Sequence, residues 1–517
     1  MARAGTFDNI RVYWLAFIAY WGIVLFGYDT GIAGGVVSQT NFQKHFGMWP
    51  NGIQNTAQVT AVSSNVVSVL QAGAFFGALG SAPISSKMGR KWTLVGFTFI
   101  FSIGAILTTV ASSPTNGLAL IYAGRVISGV GIGGISAVSP SFVSECSPKE
   151  VRGRITGLFQ IMVAIGVMLS YFINFGVSIN IVDGPRIWRI PFGFQLVPAG
   201  IMLFGLLTVK ESPRWLASVD RHDEALANLA YLRRRSTDNL EVLHELAEIE
   251  AAIEEEREIR KDLGWKEAFF GKGNFIRFVI AFVIFLLQQW SGQNSVSYYA
   301  PQIFASIGFT GNKNSLLASG VVATSLFIFF GVEWIGRRWS LFISAMGMGI
   351  MFFIIGALIK THPPPAASAN TVVATIPPAS RAMAAMLYIY VVFYSMGWGP
   401  LPWGDYVSDI FNTRTRHYGL AVASASQWLW NFVVSHQTLL IEQELRFKFF
   451  FMFAAVNIGG MGVFSLLIPE TKGRSLEEMD IIFGSISSEK RAADVAKFEH
   501  AFEHREDGST QSQDEKV

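Results

Sequence analysis

The chain has 517 residues, of which 51% are hydrophobic and only 15% are charged. Soluble proteins carry about 25% charged residues, so this composition excludes an ordinary soluble domain. The net charge of +3 is small, and we expect no nucleic-acid partner.

The missing charge leaves long apolar stretches along the chain. Residues 1–12 are polar, and the first apolar run continues as a full span, so we predict a cytoplasmic N-terminus without a cleavable signal peptide. Crossing about 30 Å of hydrocarbon takes about 20 apolar residues. We predict an all-α membrane protein with twelve transmembrane helices, spans 1 to 12, at 13–37, 58–85, 93–112, 119–142, 155–176, 190–209, 274–287, 315–332, 340–359, 382–407, 418–441 and 447–468.

Basic residues between the spans indicate the orientation of the chain. They accumulate after spans 2, 4, 8 and 10 and are sparse in the opposite connections, except for Arg186 and Arg189 between spans 5 and 6. Basic residues are typical of cytoplasmic loops. We therefore predict cytoplasmic termini, in a multi-pass protein of the plasma membrane. The residues concerned are Lys87, Arg90, Lys91, Lys149, Arg152, Arg154, Arg337, Arg338, Arg414 and Arg416.

The apolar pattern is interrupted in the middle of the chain and again at its end. Residues 218–266 are charged and helix-prone, with an acidic cluster at 254–256. We predict a cytoplasmic helical linker over 210–273 between two halves, 13–209 and 274–470; a separate binding module is the alternative. Residues 471–517 are predicted to form a cytoplasmic tail, and the end of this tail has a composition typical of disorder.

Charged motifs recur in the same order in the two halves. Duplicated six-helix halves are typical of secondary transporters, in which the solute site lies near the midplane between the halves. The repeat therefore predicts two pseudo-symmetric halves and favours a transporter. The matching motifs are Gly89-Arg90-Lys91 with Gly336-Arg337-Arg338, Glu145 and Arg152 with Asp409 and Arg416, and Glu211 and Arg214 with Glu470 and Arg474.

These charges have two interpretations. Carboxylates and guanidiniums at the ends of spans can bridge helices, because the planar guanidinium suits bidentate pairing, and such bridges would close the cytoplasmic side. Basic residues that only fix the topology are the alternative. The matched spacing favours gating salt bridges, formed by Arg90, Glu145, Arg152, Glu211, Arg214, Glu333, Arg337, Asp409, Arg416 and Glu470.

Neutral polar side chains inside the predicted spans are candidate solute ligands. A sugar presents hydroxyls that both donate and accept, which amides match, and apolar ring faces, which aromatic rings match. Gln288, Ser291, Asn294 and Tyr298 form one stripe along span 7, with Gln289 beside it. Polar groups are costly in the membrane and are therefore candidates for function. Further amides stand at Gln427 and Asn431 in span 11, next to Trp428, and at Gln160 in span 5, where an amide bonded to a neighbouring helix is the alternative.

The ordered motifs resemble the sugar porter family of the major facilitator superfamily, most closely its fungal monosaccharide transporters. The resemblance extends from about Asn9 to Leu476 and implies the major facilitator fold. It rests on Phe26-Gly27-Tyr28-Asp29-Thr30-Gly31, Gly124-Arg125, Glu211-Ser212-Pro213-Arg214-Trp215-Leu216, Gln288-Gln289-Trp290-Ser291-Gly292-Gln293-Asn294, Gly397-Trp398-Gly399-Pro400-Leu401-Pro402-Trp403 and Pro469-Glu470-Thr471-Lys472-Gly473.

The sequence departs from the family pattern at a few cytoplasmic positions. The acid expected after span 2 is replaced by Ser86, the motif after span 8 keeps Glu333 but loses a base, and Asp409 and Asn412 replace Glu and Pro after span 10. These departures concern individual cytoplasmic bridges and leave the family resemblance intact.

The resemblance implies roles for particular residues of this chain. It implies substrate contacts at Gln160, Gln288, Gln289, Asn294, Trp398, Gln427 and Asn431, and outer-gate aromatics at Tyr298 and Tyr299.

Two ionisable residues, Asp29 in span 1 and Arg125 in span 4, fall inside the apolar stretches. An unpaired charge there is costly, so we expect the two to pair. In proton-coupled relatives this pair takes up and releases the proton. Relatives that only facilitate diffusion carry similar residues, so the pair alone does not decide between symport and uniport.

We therefore expect transmembrane transport of a neutral monosaccharide, a hexose or a pentose, by alternating access and with proton symport. The alternatives are a uniporter, a carrier of polyols or quinate-like acids, and a nutrient receptor that does not transport, although the cytoplasmic tail is short for a receptor. We expect no enzyme activity, no cofactor and no metal, and Cys146 as the only cysteine allows no intrachain disulfide. The partners expected are the sugar, protons and the lipid bilayer, for a monomer.

Overall fold

A computed structural model describes most of the chain. The described residues are 9–112, 116–181, 183–261, 269–271, 273–308, 336–363, 377–402, 406–411, 415–471 and 482–483, and within them the regular structure is helical.

Eight helices make up the N-terminal half: α1 (Ile10–Val37), α2 (Thr40–His45), α3 (Thr56–Met88), α4 (Arg90–Val110), α5 (Gly117–Cys146), α6 (Lys149–Asn180), α7 (Arg186–Phe194) and α8 (Leu196–Thr208). The bundle packs α3 and α4 against α5, and α1 against α6. Close packing requires glycine, because a Cβ at Gly129 would collide with the carbonyl of Leu70 on α3, and one at Gly73 with the carbonyl of Val126 on α5.

The predicted linker is helical, as expected. It contains α9 (Pro213–Ser218), α10 (His222–Arg233) and α11 (Leu240–Lys261). Trp215, Leu229 and Val242, one from each helix, share a small apolar core. The linker is therefore packed rather than an extended connector.

The C-terminal half contains α12 (Asn274–Gln289), α13 (Gln293–Tyr298), α14 (Ala300–Ser306), α15 (Arg337–Thr361), α16 (Pro378–Met396), α17 (Val407–Ile410) and α18 (Arg416–Leu445). The last span is α19 (Lys448–Ala455), a π-helical segment (Val456–Gly462) and α20 (Val463–Leu467). Span 7 is interrupted between α12 and α13, where Gly292 has a φ of 97°. Glycine adopts this left-handed conformation without the steric cost that a Cβ adds.

Among the described residues, ten helical segments are long and apolar enough to cross a membrane. They coincide with ten of the twelve predicted spans. The eleventh predicted span coincides with α18, whose polar residues, including Gln427, Asn431 and His436, lower its hydropathy. The eighth predicted span, 315–332, lies outside the described residues. The helical fold is as predicted.

Contacts between the two halves are concentrated at the ends of the spans that we predict to be extracellular, called the outer ends below. α3 and α18 pack against each other, and α1 packs against α13 and α14. One apolar core contains Ile32 and Val36 of α1 together with Tyr299 and Ile303 of the C-terminal half. The outer ends of the halves are thus held together in this conformation.

Candidate solute and proton site

The N-terminal half holds a buried ion pair. Arg125 of α5 donates through its guanidinium to Oδ1 of Asp29 on α1, and both side chains are almost fully buried, with exposed fractions of 2% and 3%. The amide of Gln195 donates to the same carboxylate over 3.1 Å, and Nε of Arg125 donates to the carbonyl of Val66 on α3 over 3.0 Å.

These bonds bring α1, α3, α5 and the α7–α8 junction to one point. A carboxylate removed from water is costly unless it is paired and hydrogen-bonded, and Asp29 has both kinds of partner. Neutralising Asp29 by protonation would remove the attraction that holds Arg125. The pair therefore has the arrangement that a proton-dependent switch requires.

The C-terminal half holds a network of neutral amides. Nδ2 of Asn294 donates to Oε1 of Gln289 and, over 3.2 Å, to Oδ1 of Asn431 on α18. Nδ2 of Asn431 donates to the hydroxyl of Tyr298 over 3.1 Å. Four of the residues that the sequence singled out thus form one connected network from α12, α13 and α18. We call this network, with its neighbours Gln288 and Gln427, the amide cluster.

Gln288 ties the amide cluster to the turn that follows α16. Its Nε2 donates to the carbonyls of Trp398 and Gly399, over 2.7 and 3.2 Å. The Trp398 indole is fully buried and donates to the carbonyl of Leu341 over 2.9 Å. Trp398 therefore holds its backbone carbonyl in place for Gln288.

Gln427 and Gln160 stand apart from the network of hydrogen bonds. Gln427 lies one turn before Asn431 on α18 and is only 8% exposed, and its Oε1 has no hydrogen-bond partner in the described part of the chain. Gln160 is half-buried on α6. A buried amide oxygen without a partner is costly, so Gln427 is suited to accept a hydrogen bond from a solute hydroxyl.

The break in span 7 is held by residues that the sequence analysis did not identify. The Ser291 carbonyl accepts hydrogen bonds from the Tyr390 hydroxyl at 3.1 Å and from Nδ2 of Asn457 at 3.0 Å. A helix interruption inside a membrane frees backbone groups that other side chains must satisfy. A glycine at position 292, inside the long span 7, was the available signal for the break. Asn457 lies in the π-helical segment of the last span, a type of distortion that is frequent at functional sites.

The predicted outer-gate aromatics lie between the halves. Tyr299 donates to the Ser435 carbonyl over 2.6 Å, within the C-terminal half. Tyr171 of α6 donates to the Ser297 carbonyl over 2.6 Å, and this bond links the N-terminal half to the C-terminal half. A Cβ at Gly34 of α1 would overlap the carbonyl of Tyr298. The backbones of α1 and α13 therefore meet closely at this point.

At the end of the N-terminal half that we predict to be cytoplasmic, Arg90 and Glu145 form an ion pair of 2.9 Å, and the Ser212 hydroxyl donates to the same carboxylate. Glu211 instead accepts backbone N–H bonds from Arg90, Lys91 and Ser212, at distances of 2.9–3.1 Å. Burial raises the pKa of Glu211, and these N–H bonds oppose the rise. Glu211 thus binds the first turn of α4, where the helix dipole favours negative charge.

The C-terminal half repeats this arrangement. Glu470 accepts backbone N–H bonds from Arg337, Arg338 and Thr471, at 3.0–3.1 Å, so it binds the first turn of α15 as Glu211 binds α4. Arg214 is exposed on α9. Of the other predicted gating residues, Glu333 and the side chains of Arg152, Asp409 and Arg416 lie outside what the structure describes. In the described part of the chain, no three acidic, histidine or cysteine side chains are grouped as a metal site.

The sequence of the chain is similar to those of known membrane transporters. The family model described as sugar (and other) transporter matches residues 15–483. A probable quinate permease of Neosartorya fischeri is 35% identical, over 98% of this chain and 95% of that protein. The quinate permease of Emericella nidulans is 34% identical, over 92% and 89% respectively.

Solved structures of similar fold include the proton:xylose symporter XylE bound to 6-bromo-6-deoxy-D-glucose. That structure has a TM-score of 0.73 at 24% identity and covers 92% of this chain and all of the other. The inward-open conformation of XylE from E. coli has a TM-score of 0.74 at 23% identity, over 91% of this chain and 99% of the other. At 23–24% sequence identity, this similarity shows a shared fold and nothing further.

Proposed function

This chain belongs to the sugar transporter family of the major facilitator superfamily, and we propose that it carries an uncharged monosaccharide, a hexose or a pentose, together with a proton. It is a multi-pass membrane transporter and not an enzyme. We place it in the plasma membrane with both termini in the cytoplasm, working as a monomer by alternating access.

The observation that carries this proposal is the neutral amide cluster. Gln289, Asn294 and Asn431 are linked by their own amide groups, and each amide can also donate to or accept from a ring hydroxyl. No charged side chain takes part in these bonds. A polyhydroxylated, uncharged ring therefore matches the chemistry of the cluster.

Proton coupling is supported by the buried pair of Asp29 and Arg125. In the proposed cycle, Asp29 takes up a proton from the outer side and releases Arg125, and the helices that Arg125 holds then rearrange as the sugar binds. Loss of the proton to the cytoplasm restores the pair. One solved structure of similar fold is a proton symporter, which agrees with this assignment.

The proposal is tested by uptake of radiolabelled hexoses and pentoses in a host that lacks its own sugar transporters, with and without a protonophore. We expect accumulation against a gradient that the protonophore abolishes. Uptake that the protonophore leaves unchanged would indicate a uniporter. If the correctly localised protein takes up no solute, a nutrient receptor becomes the favoured function.

A quinate-like acid is the second candidate, favoured by the names of the fungal relatives. Quinate is also a polyhydroxylated ring, and it carries a carboxylate that a cation would stabilise. Arg125, the buried arginine of the N-terminal half, is held by Asp29 and by the Val66 carbonyl. This engagement favours the neutral solute.

The two solutes are distinguished by the charge that moves with them. A neutral sugar with one proton carries one positive charge inward, whereas a quinate anion with one proton carries none. We therefore expect the substrate to depolarise the membrane of expressing cells. Uptake of quinate without depolarisation, together with no uptake of sugar, would establish the second candidate.

A further inference from the structure

A stripe of buried polar residues runs along α3 on the face that meets the C-terminal half. Thr60, Ser64, Ser68 and Gln71 follow at intervals of four, four and three, so they lie on one side of the helix. Each is at most 3% exposed. The four residues thus form a continuous polar line from the outer end of the span towards its centre.

The stripe lies against polar groups of the opposite half, and we call the paired arrangement the α3 seam. Gln443 donates to the Thr60 hydroxyl, and Ser68 is hydrogen-bonded to Nδ1 of His436 at 3.3 Å. Ser64 lies beside the Tyr299 hydroxyl, and Gln71 beside the Tyr298 hydroxyl. The seam joins the halves in the conformation observed.

Gln71, at the inner end of the seam, carries an amide, whereas the other three residues carry hydroxyls. Of these three, the Ser64 hydroxyl is also buried without a hydrogen-bond partner in the described part of the chain. It brings an amide of the N-terminal half to the Tyr298 hydroxyl, which is already part of the amide cluster through Asn431. Its Oε1 is buried and has no hydrogen-bond partner in the part of the chain that the structure describes. Gln427, within the amide cluster, has the same property.

We propose that Gln71 is a solute-binding residue contributed by the N-terminal half, which accepts a hydrogen bond from a ring hydroxyl at the inner end of the α3 seam. This inference rests on the proposed function, because it requires a polyhydroxylated solute. Thr60 and Ser68 are hydrogen-bonded to the opposite half, whereas Gln71 has a buried acceptor without a partner in the described residues, beside a tyrosine of the amide cluster.

Gln71 also places solute binding on the helix that holds the proton pair. The Val66 carbonyl that accepts from Arg125 lies five residues before Gln71 on α3. A solute bound to Gln71 and a proton bound to Asp29 thus both act on α3. This shared helix gives a direct physical route by which solute binding and proton uptake influence each other.

The test combines a protein variant with deletion of single solute hydroxyls. The apparent affinities of the best transported hexose and of its monodeoxy analogues are measured by competition, in the wild type and in Gln71→Leu. Losing one hydrogen bond should weaken wild-type binding of one analogue by about tenfold. In Gln71→Leu the parent hexose should bind about as weakly as that analogue, and deleting that hydroxyl should have no further effect. If Gln71→Leu shows the same relative affinities for the analogues as the wild type, the proposal is overturned.

Controls separate binding from folding and from gating. Gln58→Leu, on the same helix towards its outer end, and Ser68→Ala, which removes a seam hydroxyl, should both keep the wild-type pattern of analogue affinities. If Gln71→Leu is too unstable to transport, the affinities for the hexose and its analogues are compared in purified Gln71→Asn and wild type, by the thermal stabilisation that each solute causes. If the wild type binds no hexose, the proposed function is contradicted. If the wild type binds hexoses and the Gln71 variant discriminates among the analogues as the wild type does, only the role of Gln71 is contradicted.

Discussion

The two halves share a fold pattern but hold opposite kinds of polar chemistry. The centre of the N-terminal half contains a charged pair, Asp29 with Arg125, whose groups are engaged by Gln195 and by the Val66 carbonyl. The centre of the C-terminal half contains linked neutral amides, such as Asn294 and Asn431. A protonatable pair suits a proton, and neutral amides suit hydroxyl groups. Under the proposed function, the N-terminal half binds the proton and the C-terminal half supplies most of the amides for the solute, joined by one amide from α3.

The largest effect is expected from removing the titratable group of the N-terminal half. Asp29→Asn keeps the size of the side chain and an oxygen that can accept from Gln195, but it cannot take up a proton. We expect accumulation against a gradient to be abolished, while exchange of labelled for unlabelled sugar across the membrane continues. Both are measured in vesicles with matched protein content. Accumulation that survives in Asp29→Asn would show that the proton binds elsewhere.

The complementary change removes an amide from the C-terminal half. Asn431→Ala deletes the group that links Asn294 to Tyr298, and we expect the KM for sugar to rise about tenfold or more. The number of protons moved per sugar should remain unchanged, because the charged pair is intact. Gln437→Leu, on another face of the same helix, is the matched control and should keep a normal KM. A changed proton ratio in Asn431→Ala would contradict the division of work.

The contact between the halves provides a third test. A Cβ at Gly34 would overlap the Tyr298 carbonyl, so Gly34→Ala should hinder closure of the outer ends. Overpacking of this kind costs about 1–3 kcal/mol, and we expect the maximal uptake rate to fall about tenfold. Gly80→Ala is the control, since no atom lies within 4 Å of a Cβ at Gly80. Equal rates for the two variants would mean that the close approach at Gly34 is not needed for turnover.

At the ends that we predict to be cytoplasmic the halves are alike, so equal changes should have equal effects. Glu211→Gln and Glu470→Gln each remove the negative charge that binds three backbone N–H groups. We expect each to lower stability by about 1–2 kcal/mol, measured as a decrease of a few degrees in the Tm of the detergent-solubilised protein. The two effects should add, because the sites lie in different halves. A large effect in only one half would contradict the structural equivalence of the two ends.

Most of the fold was predictable from the sequence, because hydropathy and the need to satisfy the backbone leave few alternatives to membrane-spanning helices. The charged motifs were recognisable, but the partner of each acid was not. Glu211 and Glu470 accept N–H bonds because Gly89 and Gly336, with φ of 86° and 94°, turn the chain immediately before α4 and α15. Such backbone geometry is not encoded in the acid–base spacing.

The site was predictable where polar residues recur with helical spacing, as in span 7. Asn457 and Tyr390 were missed because their role depends on the Ser291 carbonyl, which becomes available only through the break at Gly292. Gln71 was missed inside the apolar stretch 58–85, although the spacing of Thr60, Ser64 and Ser68 before it was a readable signal. Which half these residues face depends on tertiary packing.

We propose that the charged pair of the N-terminal half moves a proton while the amides of the C-terminal half bind a neutral sugar. The most direct measurement uses purified protein in liposomes loaded with a pH indicator, to which a transported hexose is added without any pH gradient. We expect acidification of the interior with the wild type and none with Asp29→Asn, although labelled hexose still exchanges. Entry of hexose into wild-type liposomes without acidification would contradict it.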